Sequence, residues 1–226
     1  MFKKSMLRTA LWLIFHILAL LCLTAGVSGA YLIHTTDNGN PIKWPNKTNF
    51  PVVNYLVNEN CAHCSGEAAA VQMAGRTWSN AGAQFSFAYG GTTTTVGGSY
   101  DGSNCISWST TDFSPGSTTL AETTYWYDPD TGEILECDCV FNDYNIWSTA
   151  ATTPYNQFDI ESVMLHEFGH YLSLGHAVPP AIMQPTIPDG TQRRILTTDD
   201  KAGIIAIYGA RPSNKIVPSL LLLLLE

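Results

Sequence analysis

The sequence is poor in charged residues, and poorest in positive ones. Only 13% of its 226 residues are Asp, Glu, Lys or Arg, and 11 basic residues stand against 19 acidic ones. Three of the basic residues, Lys3, Lys4 and Arg8, lie in the first thirty positions, so residues 31–226 carry a formal net charge of −11. A surface with this balance repels phosphate backbones and anionic lipids. Nucleic acid is therefore excluded as an expected partner.

Long apolar runs are confined to the two ends of the chain. After the basic start, Leu11–Val27 is almost wholly apolar, and Ser28–Ala30 supplies the small residues that a signal peptidase requires. Segment 1–30 is thus predicted to be a signal peptide that exports the protein, and an uncleaved membrane anchor is the alternative. Leu220–Leu225 is too short to cross a bilayer, and the apolar tail 212–226 has no assigned role. Membrane association is expected only through one of these ends, and the protein is expected to be a monomer.

Cysteine is scarce as well. Removal of segment 1–30 leaves five: Cys61, Cys64, Cys105, Cys137 and Cys139. Export makes disulfides plausible, but an odd number cannot all pair within one chain. Cys61 and Cys64 are spaced for a small loop disulfide, or for the start of a second metal site with His63. Cys137 and Cys139 share one face of a predicted strand, and either could reach Cys105.

No internal repeat is present, and the length suits one domain with a sizeable core. Alternating and β-branched residues predict strands over 50–57, 84–89 and 105–108, followed by a hairpin over 119–127 and 133–141. Apolar residues at helical spacing predict helices over 65–80, 158–174 and 197–208. The polar stretch 31–48 is predicted to be a loop.

One short motif carries the chemistry. In HEFGHYLSLGH (166–176), His166 and His170 lie four residues apart, so a helix presents both imidazoles on one face. The adjacent Glu167 can hold a water molecule and take its proton. A continued helix would aim His176 elsewhere, so the helix must end before it, near Ser173 and Gly175. Three histidines with one open position predict a catalytic zinc site, since a structural site would have a fourth protein ligand.

Other zinc-peptidase classes use a different third ligand. A thermolysin-like site needs a downstream glutamate, and the only glutamate after Glu167 is Glu226, in the tail. This class is therefore excluded. An aspartate ligand would be Asp189, Asp199 or Asp200; spacing does not rule out Asp189, but His176 fits more simply.

The motif, together with AIMQP (181–185), resembles the metzincin clan of zinc peptidases, which share a long zinc motif and a later methionine turn. Within the clan, the chain is most similar to the matrixin family, the matrix metalloproteinases and their smaller microbial relatives. LTTDDKAGIIAIYG (196–209) resembles the closing matrixin helix, and ECDCVFN (136–142) resembles a matrixin strand. The likeness is highly specific over 158–209 and looser over 42–145.

The resemblance implies an α+β fold: a twisted mixed N-terminal sheet, a central zinc-binding helix, and a C-terminal helix after the methionine turn. The catalytic domain would span 31–211. His166, His170 and His176 would bind one catalytic zinc ion, and Glu167 would be the general base. Met183 would form the apolar floor beneath the metal. Asp199 and Asp200 would support the methionine turn and meet the mature N-terminus.

The implied function is a secreted zinc-dependent endopeptidase that hydrolyses peptide bonds in protein or peptide substrates. The alternative is a secreted, non-catalytic zinc-binding or adhesion module on the same scaffold, against which the intact Glu167 argues. A structural calcium ion is a second cofactor that the resemblance suggests. Asp138, Asn142 and Asp143 are its candidate ligands, and turn residues are the other interpretation of these three.

The chain departs from the matrixin pattern in three respects. Ser173 and Ala177 stand where the family has glycine and serine. The turn at Ser173 therefore needs strain at that residue or relief from Gly175. No latency segment of the Pro-Arg-Cys-Gly type is found.

Overall fold

The computed structural model describes residues 31–46 and 50–212. The predicted signal segment 1–30 and residues 213–226 of the apolar tail lie outside the described residues. The described part contains nine strands and three helices. The strands are β1 Leu32–Ile33, β2 Val52–Val57, β3 Ser86–Thr92, β4 Cys105–Ser109, β5 Ala121–Tyr127, β6 Ile134–Asn142, β7 Trp147–Ser148, β8 Phe158–Asp159 and β9 Leu174–Gly175. The helices are α1 Glu67–Ser79, α2 Ile160–Tyr171 and α3 Thr198–Tyr208.

Five of the strands form one mixed sheet in the order β3-β2-β4-β6-β5. The pairs β2–β3, β2–β4 and β4–β6 are parallel, whereas β5 runs antiparallel to β6. The predicted α+β class with a mixed sheet is therefore confirmed. Within the described part of the chain, β5 is bonded to β6 alone, so it forms an edge of the sheet.

The core joins this sheet to α1 and α2. Val71, Ala74 and Trp78 form the buried face of α1 that their helical spacing predicts. The Trp78 indole N–H donates to the Leu165 carbonyl at 2.7 Å, which ties α1 to α2. The Phe168 ring of α2 packs on Phe87 with centroids 4.2 Å apart. The central helix is thus held on its buried side. Within the described ranges, no helix has the length and hydropathy needed to span a bilayer.

The central helix is shorter than predicted at both ends. Phe158 and Asp159 belong to β8, which pairs with β7. Asp159 is the N-cap of α2, because its carboxylate accepts from the Ser162 backbone N–H at 3.0 Å. At its other end, the helix stops at Tyr171.

The prediction of a loop over 31–48 is wrong at β1, which pairs with β9. A two-residue strand leaves too short an alternation to be recognised in sequence.

The chain turns sharply between α2 and β9. Ser173 adopts a positive φ of 69° and is fully buried, and its N–H donates to the His170 carbonyl at 2.8 Å. The turn is thus made at Ser173 and not at Gly175. Gly175 is needed for another reason: a Cβ there would lie 2.7 Å from the Leu32 side chain and 2.9 Å from His34 Nε2.

Two buried carboxylates of β6 hold the glycine-rich segment before β4. Asp138, which is 1% exposed, accepts backbone N–H bonds from Gly98, Ser99 and Cys105 at 2.6, 3.3 and 2.8 Å. Glu136 accepts from the backbone amides of Asp101 and Gly102, in the same segment. A segment with little apolar surface is therefore ordered by side-chain acceptors.

Cysteine pairing is settled for the described residues. Cys61 and Cys64 form a disulfide. Cys105, Cys137 and Cys139 are buried free thiols. Of the two interpretations of Cys61 and Cys64, the structure therefore contains the loop disulfide.

Replacement of Asp138 tests the role of its carboxylate. Asp138→Ala leaves three backbone donors without their acceptor and is expected to lower the free energy of unfolding by about 3 kcal/mol. Asp138→Asn keeps one acceptor oxygen and should lose less. Urea denaturation of both variants measures the difference, and equal stability of Asp138→Ala and the wild type would contradict the account.

Replacement of Ser173 tests the turn. Glycine adopts positive φ without strain, so Ser173→Gly should keep the unfolding free energy or raise it by up to about 1 kcal/mol. Ser173→Val places a β-branched residue in the same conformation and should lose about 2 kcal/mol. Thermal unfolding compares the two variants. The same Tm for both would show that backbone strain is not the deciding factor.

Candidate active site

Two histidines of α2 present their Nε2 atoms to one point. The two Nε2 atoms of His166 and His170 lie 3.1 Å apart. Each Nδ1 is 2.8–2.9 Å from a backbone carbonyl, that of Ile182 for His166 and that of Leu174 for His170. A carbonyl can only accept, so Nδ1 of each ring carries the proton and Nε2 presents its lone pair. Such carbonyl contacts orient metal-binding histidines.

The turn at Ser173 brings His176 to the same point. Its ring centroid lies 5.3 Å from that of His166 and 5.1 Å from that of His170. One ring nitrogen from each of the three histidines lies within 4.8 Å of the others. His176 is the exposed member of the group. The three histidines therefore line the solvent side of α2.

The protonation state of this group suits a metal ion. Burial lowers the pKa of His166 to about 4, and burial likewise lowers that of His170 to about 4. Both imidazoles are therefore neutral at neutral pH, which is the form that binds metal. Three nitrogen donors, with no fourth protein ligand among the residues that the structure describes, match a catalytic zinc site, so the His166, His170 and His176 group fits zinc.

Glu167 lies beside the histidines with 5% of its surface exposed. Its Oε2 accepts a hydrogen bond of 2.7 Å from the Thr123 hydroxyl. Burial raises the pKa of the Glu167 carboxyl, and the neighbouring His170 opposes that shift. Thr123 lies on the edge strand β5 and was not among the predicted site residues. Strand alternation places it on one face with Tyr125, but no sequence signal shows that this face meets α2.

Met183 packs against the helix between the two histidines. A Cβ at Gly169 would overlap the Met183 side chain, so any larger residue at this position would displace Met183. The Asp200 carboxylate accepts from the Ile182 N–H at 3.0 Å and from the Met183 N–H at 3.4 Å. The same carboxylate accepts from the backbone and hydroxyl of Thr197, which completes a capping box on α3. Asp200 thus joins α3 to the methionine turn.

The neighbouring Asp199 faces the N-terminal segment. Its Oδ1 accepts from the Tyr31 backbone N–H at 3.3 Å. Tyr31 is the residue that follows the predicted signal-peptide cleavage site. The two aspartates therefore have different partners: Asp200 bonds to the methionine turn, and Asp199 bonds to the start of the described chain.

A cavity of about 630 Å³ opens beside the histidines. One wall is the segment from Thr118 to Thr123, which leads into β5. Another part of the wall is the chain after the methionine turn, Gln184–Ile187, together with Arg193. Arg193 was not predicted to contribute, because it lies 17 residues beyond His176.

The oxygen atoms of the candidate calcium ligands accept hydrogen bonds from separate parts of the chain. The Asp138 oxygens accept from Gly98, Ser99 and Cys105, and Asp143 accepts from the Ala62 N–H. The Asn142 amide bonds to Thr119 and Tyr144. Asp138 and Asn142 lie on β6, and calcium binding by the three residues stays a prediction.

Comparison with known proteins agrees with this geometry. The matrixin family profile matches residues 43–209, well over half of the chain. The chain is 52% identical over 56 residues to Metalloendoproteinase 2-MMP of Arabidopsis thaliana, covering 24% of this chain and 15% of that protein. It is 50% identical over 56 residues to Metalloendoproteinase 1 of Glycine max, with 24% and 18% covered.

Matrilysin of Rattus norvegicus is 49% identical over 87 residues, which is 38% of this chain and 31% of that protein. The matched stretches span less than a third of each of these relatives. The family profile, in contrast, covers the mixed sheet, the histidine helix, the methionine turn and α3 together. The chain therefore belongs to the matrixin family.

Proposed function

We propose that this protein is an exported zinc-dependent endopeptidase that cleaves peptide bonds in proteins or peptides. The observation that carries the proposal is the convergence of three imidazoles beside a buried glutamate, next to an open cavity. Membership of the matrixin family supports the same activity. A binding module would need the histidines but would have no use for Glu167.

The residues divide the chemistry between them. His166, His170 and His176 would hold zinc, which supplies an activated water nucleophile and a Lewis acid for the substrate carbonyl. Glu167 takes the proton of the attacking water and returns it to the departing amine. The Thr123 hydroxyl holds one Glu167 oxygen, which leaves Oε1 for the proton transfer. Burial favours this role, because it raises the pKa of the Glu167 carboxyl toward the working range of a general base.

The edge strand β5 supplies a binding mode for an extended peptide. The wall of the cavity continues into β5, which has a sheet partner on one side only. An extended substrate can add to such an edge through main-chain hydrogen bonds. Main-chain recognition of this kind suits an enzyme that acts within polypeptides.

Export also accounts for the contact at the start of the described chain. Cleavage after Ala30 would turn the Tyr31 amide into an α-ammonium group. That group would face the Asp199 carboxylate, which is 3.3 Å from the nitrogen. An ion pair there would fix the N-terminal strand β1 against α3.

Removal of the metal is the first test. A zinc chelator should abolish cleavage of unfolded casein by the purified protein, and added zinc should restore it. The chelated protein should also melt at a lower temperature, because zinc binds the folded state only. Differential scanning calorimetry with and without chelator measures this shift; cleavage that persists in the metal-free protein would sink the proposal.

Removal of the carboxylate is the second test. Glu167→Ala is expected to lower kcat for casein-derived peptides by about 100- to 10,000-fold, the range of a general acid–base catalyst. Bound zinc, measured by elemental analysis, should stay at one ion per chain. Asp37→Ala removes an exposed carboxylate outside the cavity and serves as the control. Near-wild-type turnover of Glu167→Ala would refute the assigned role.

A further inference from the structure

We propose that Arg193 makes the cavity select substrate side chains that end in a carboxylate, glutamate above all. The proposal rests on the proposed peptidase function and names the substrate class for it. It concerns the side chain that enters the cavity when a peptide lies along β5. An apolar cavity alone would instead favour a side chain such as leucine.

Arg193 is fixed at the cavity wall by three contacts. Its backbone N–H donates to the Ser162 hydroxyl at 2.7 Å, and its NH1 group donates to the Thr186 carbonyl at 2.8 Å. With its side-chain carbonyl turned toward the guanidinium, Gln184 accepts from Nε and NH2 at 3.2 Å each. The positive group is therefore held in place before any substrate arrives, so little conformational entropy is lost on binding.

The charge of Arg193 has no counter-ion among the described residues. Its acceptors are a hydroxyl, a carbonyl and an amide, all neutral. The adjacent Arg194 differs, because its guanidinium forms ion pairs with Asp159 and Glu161. A half-buried cation with neutral partners retains its attraction for an anion from the substrate.

The remaining lining determines which anion fits. Apolar side chains supply a large part of the cavity lining: Leu120, Phe158, Val163, Ile182, Pro185 and Ile187. The two carboxylates that line the cavity lie toward β5, since Glu167 is bonded to Thr123 and Glu122 is an exposed residue of that strand. An apolar stem with a terminal carboxylate complements this distribution, and glutamate has both parts. On the β5 side of the cavity, the negative charge of Glu122 would repel an acidic side chain of the substrate.

A structural role for Arg193 is the competing interpretation. The same contacts with Gln184 and Thr186 would brace the cavity wall whatever the substrate. A bracing residue would affect cleavage of all peptides alike. The ratio of two isosteric substrates separates the two roles, because a general loss of activity cancels in it.

The experiment uses the zinc-loaded full chain and one peptide whose cleavage site has been mapped. Each position flanking the scissile bond is occupied in turn by glutamate, glutamine or leucine, and kcat/KM is measured. Wild-type protein is expected to prefer glutamate to glutamine by about tenfold at one position. R193Q should reduce that ratio to about one, whereas R193K should keep a ratio above one. K201Q, which removes an exposed positive charge from α3, should leave the ratio unchanged.

The possible failures are distinct. If wild-type protein cleaves none of the peptides, the leucine series included, then the proposed function fails and this proposal fails with it. If it cleaves the leucine peptides but shows no preference for glutamate over glutamine at any position, only the role of Arg193 is overturned. A preference that survives in R193Q overturns it as well. If R193Q fails to fold, the ratio of kcat/KM between the glutamate and glutamine peptides in the wild-type protein decides the matter.

Discussion

The Asp200 carboxylate is the contact on which the arrangement of the site depends. It accepts the Ile182 and Met183 amides, and the Ile182 carbonyl in turn accepts from His166 Nδ1. Met183 fills the space left by the missing side chain of Gly169, between the two helical histidines. A single carboxylate on α3 therefore sets the position of the methionine turn, and the turn sets the ring orientation of a proposed metal ligand.

The edge strand β5 contributes to the site from the opposite side. Its Thr123 hydroxyl bonds to Glu167, and the segment leading into it forms one wall of the cavity. Because the strand has an unpaired edge, the group that orients the proposed base and the surface that would bind a peptide belong to one element. The Thr123 hydroxyl that bonds to Glu167 and the proposed peptide-binding edge thus share one backbone segment.

Much of the fold was predictable because its elements carry regular patterns. The apolar spacing of Val71, Ala74 and Trp78 located α1, and the hairpin of β5 and β6 was recognised by its turn. The strand β1 was missed, since its two residues pair with β9, which lies far along the chain. The end of α2 was placed too late, although the need for a break before His176 was recognised. In the structure, that break is made by Ser173, which takes a positive φ, and not by Gly175.

The pairing of His166 with His170 follows from local spacing, because a helix places residues four apart on one face whatever surrounds it. Three-dimensional packing had to supply Thr123, whose partner Glu167 lies on α2, and Arg193, which reaches the cavity from the segment between β9 and α3. It likewise determined that Asp138 binds backbone amides, since that depends on the segment 97–105 folding over β6. Residue order specifies contacts within one element, whereas contacts between elements depend on how the elements pack.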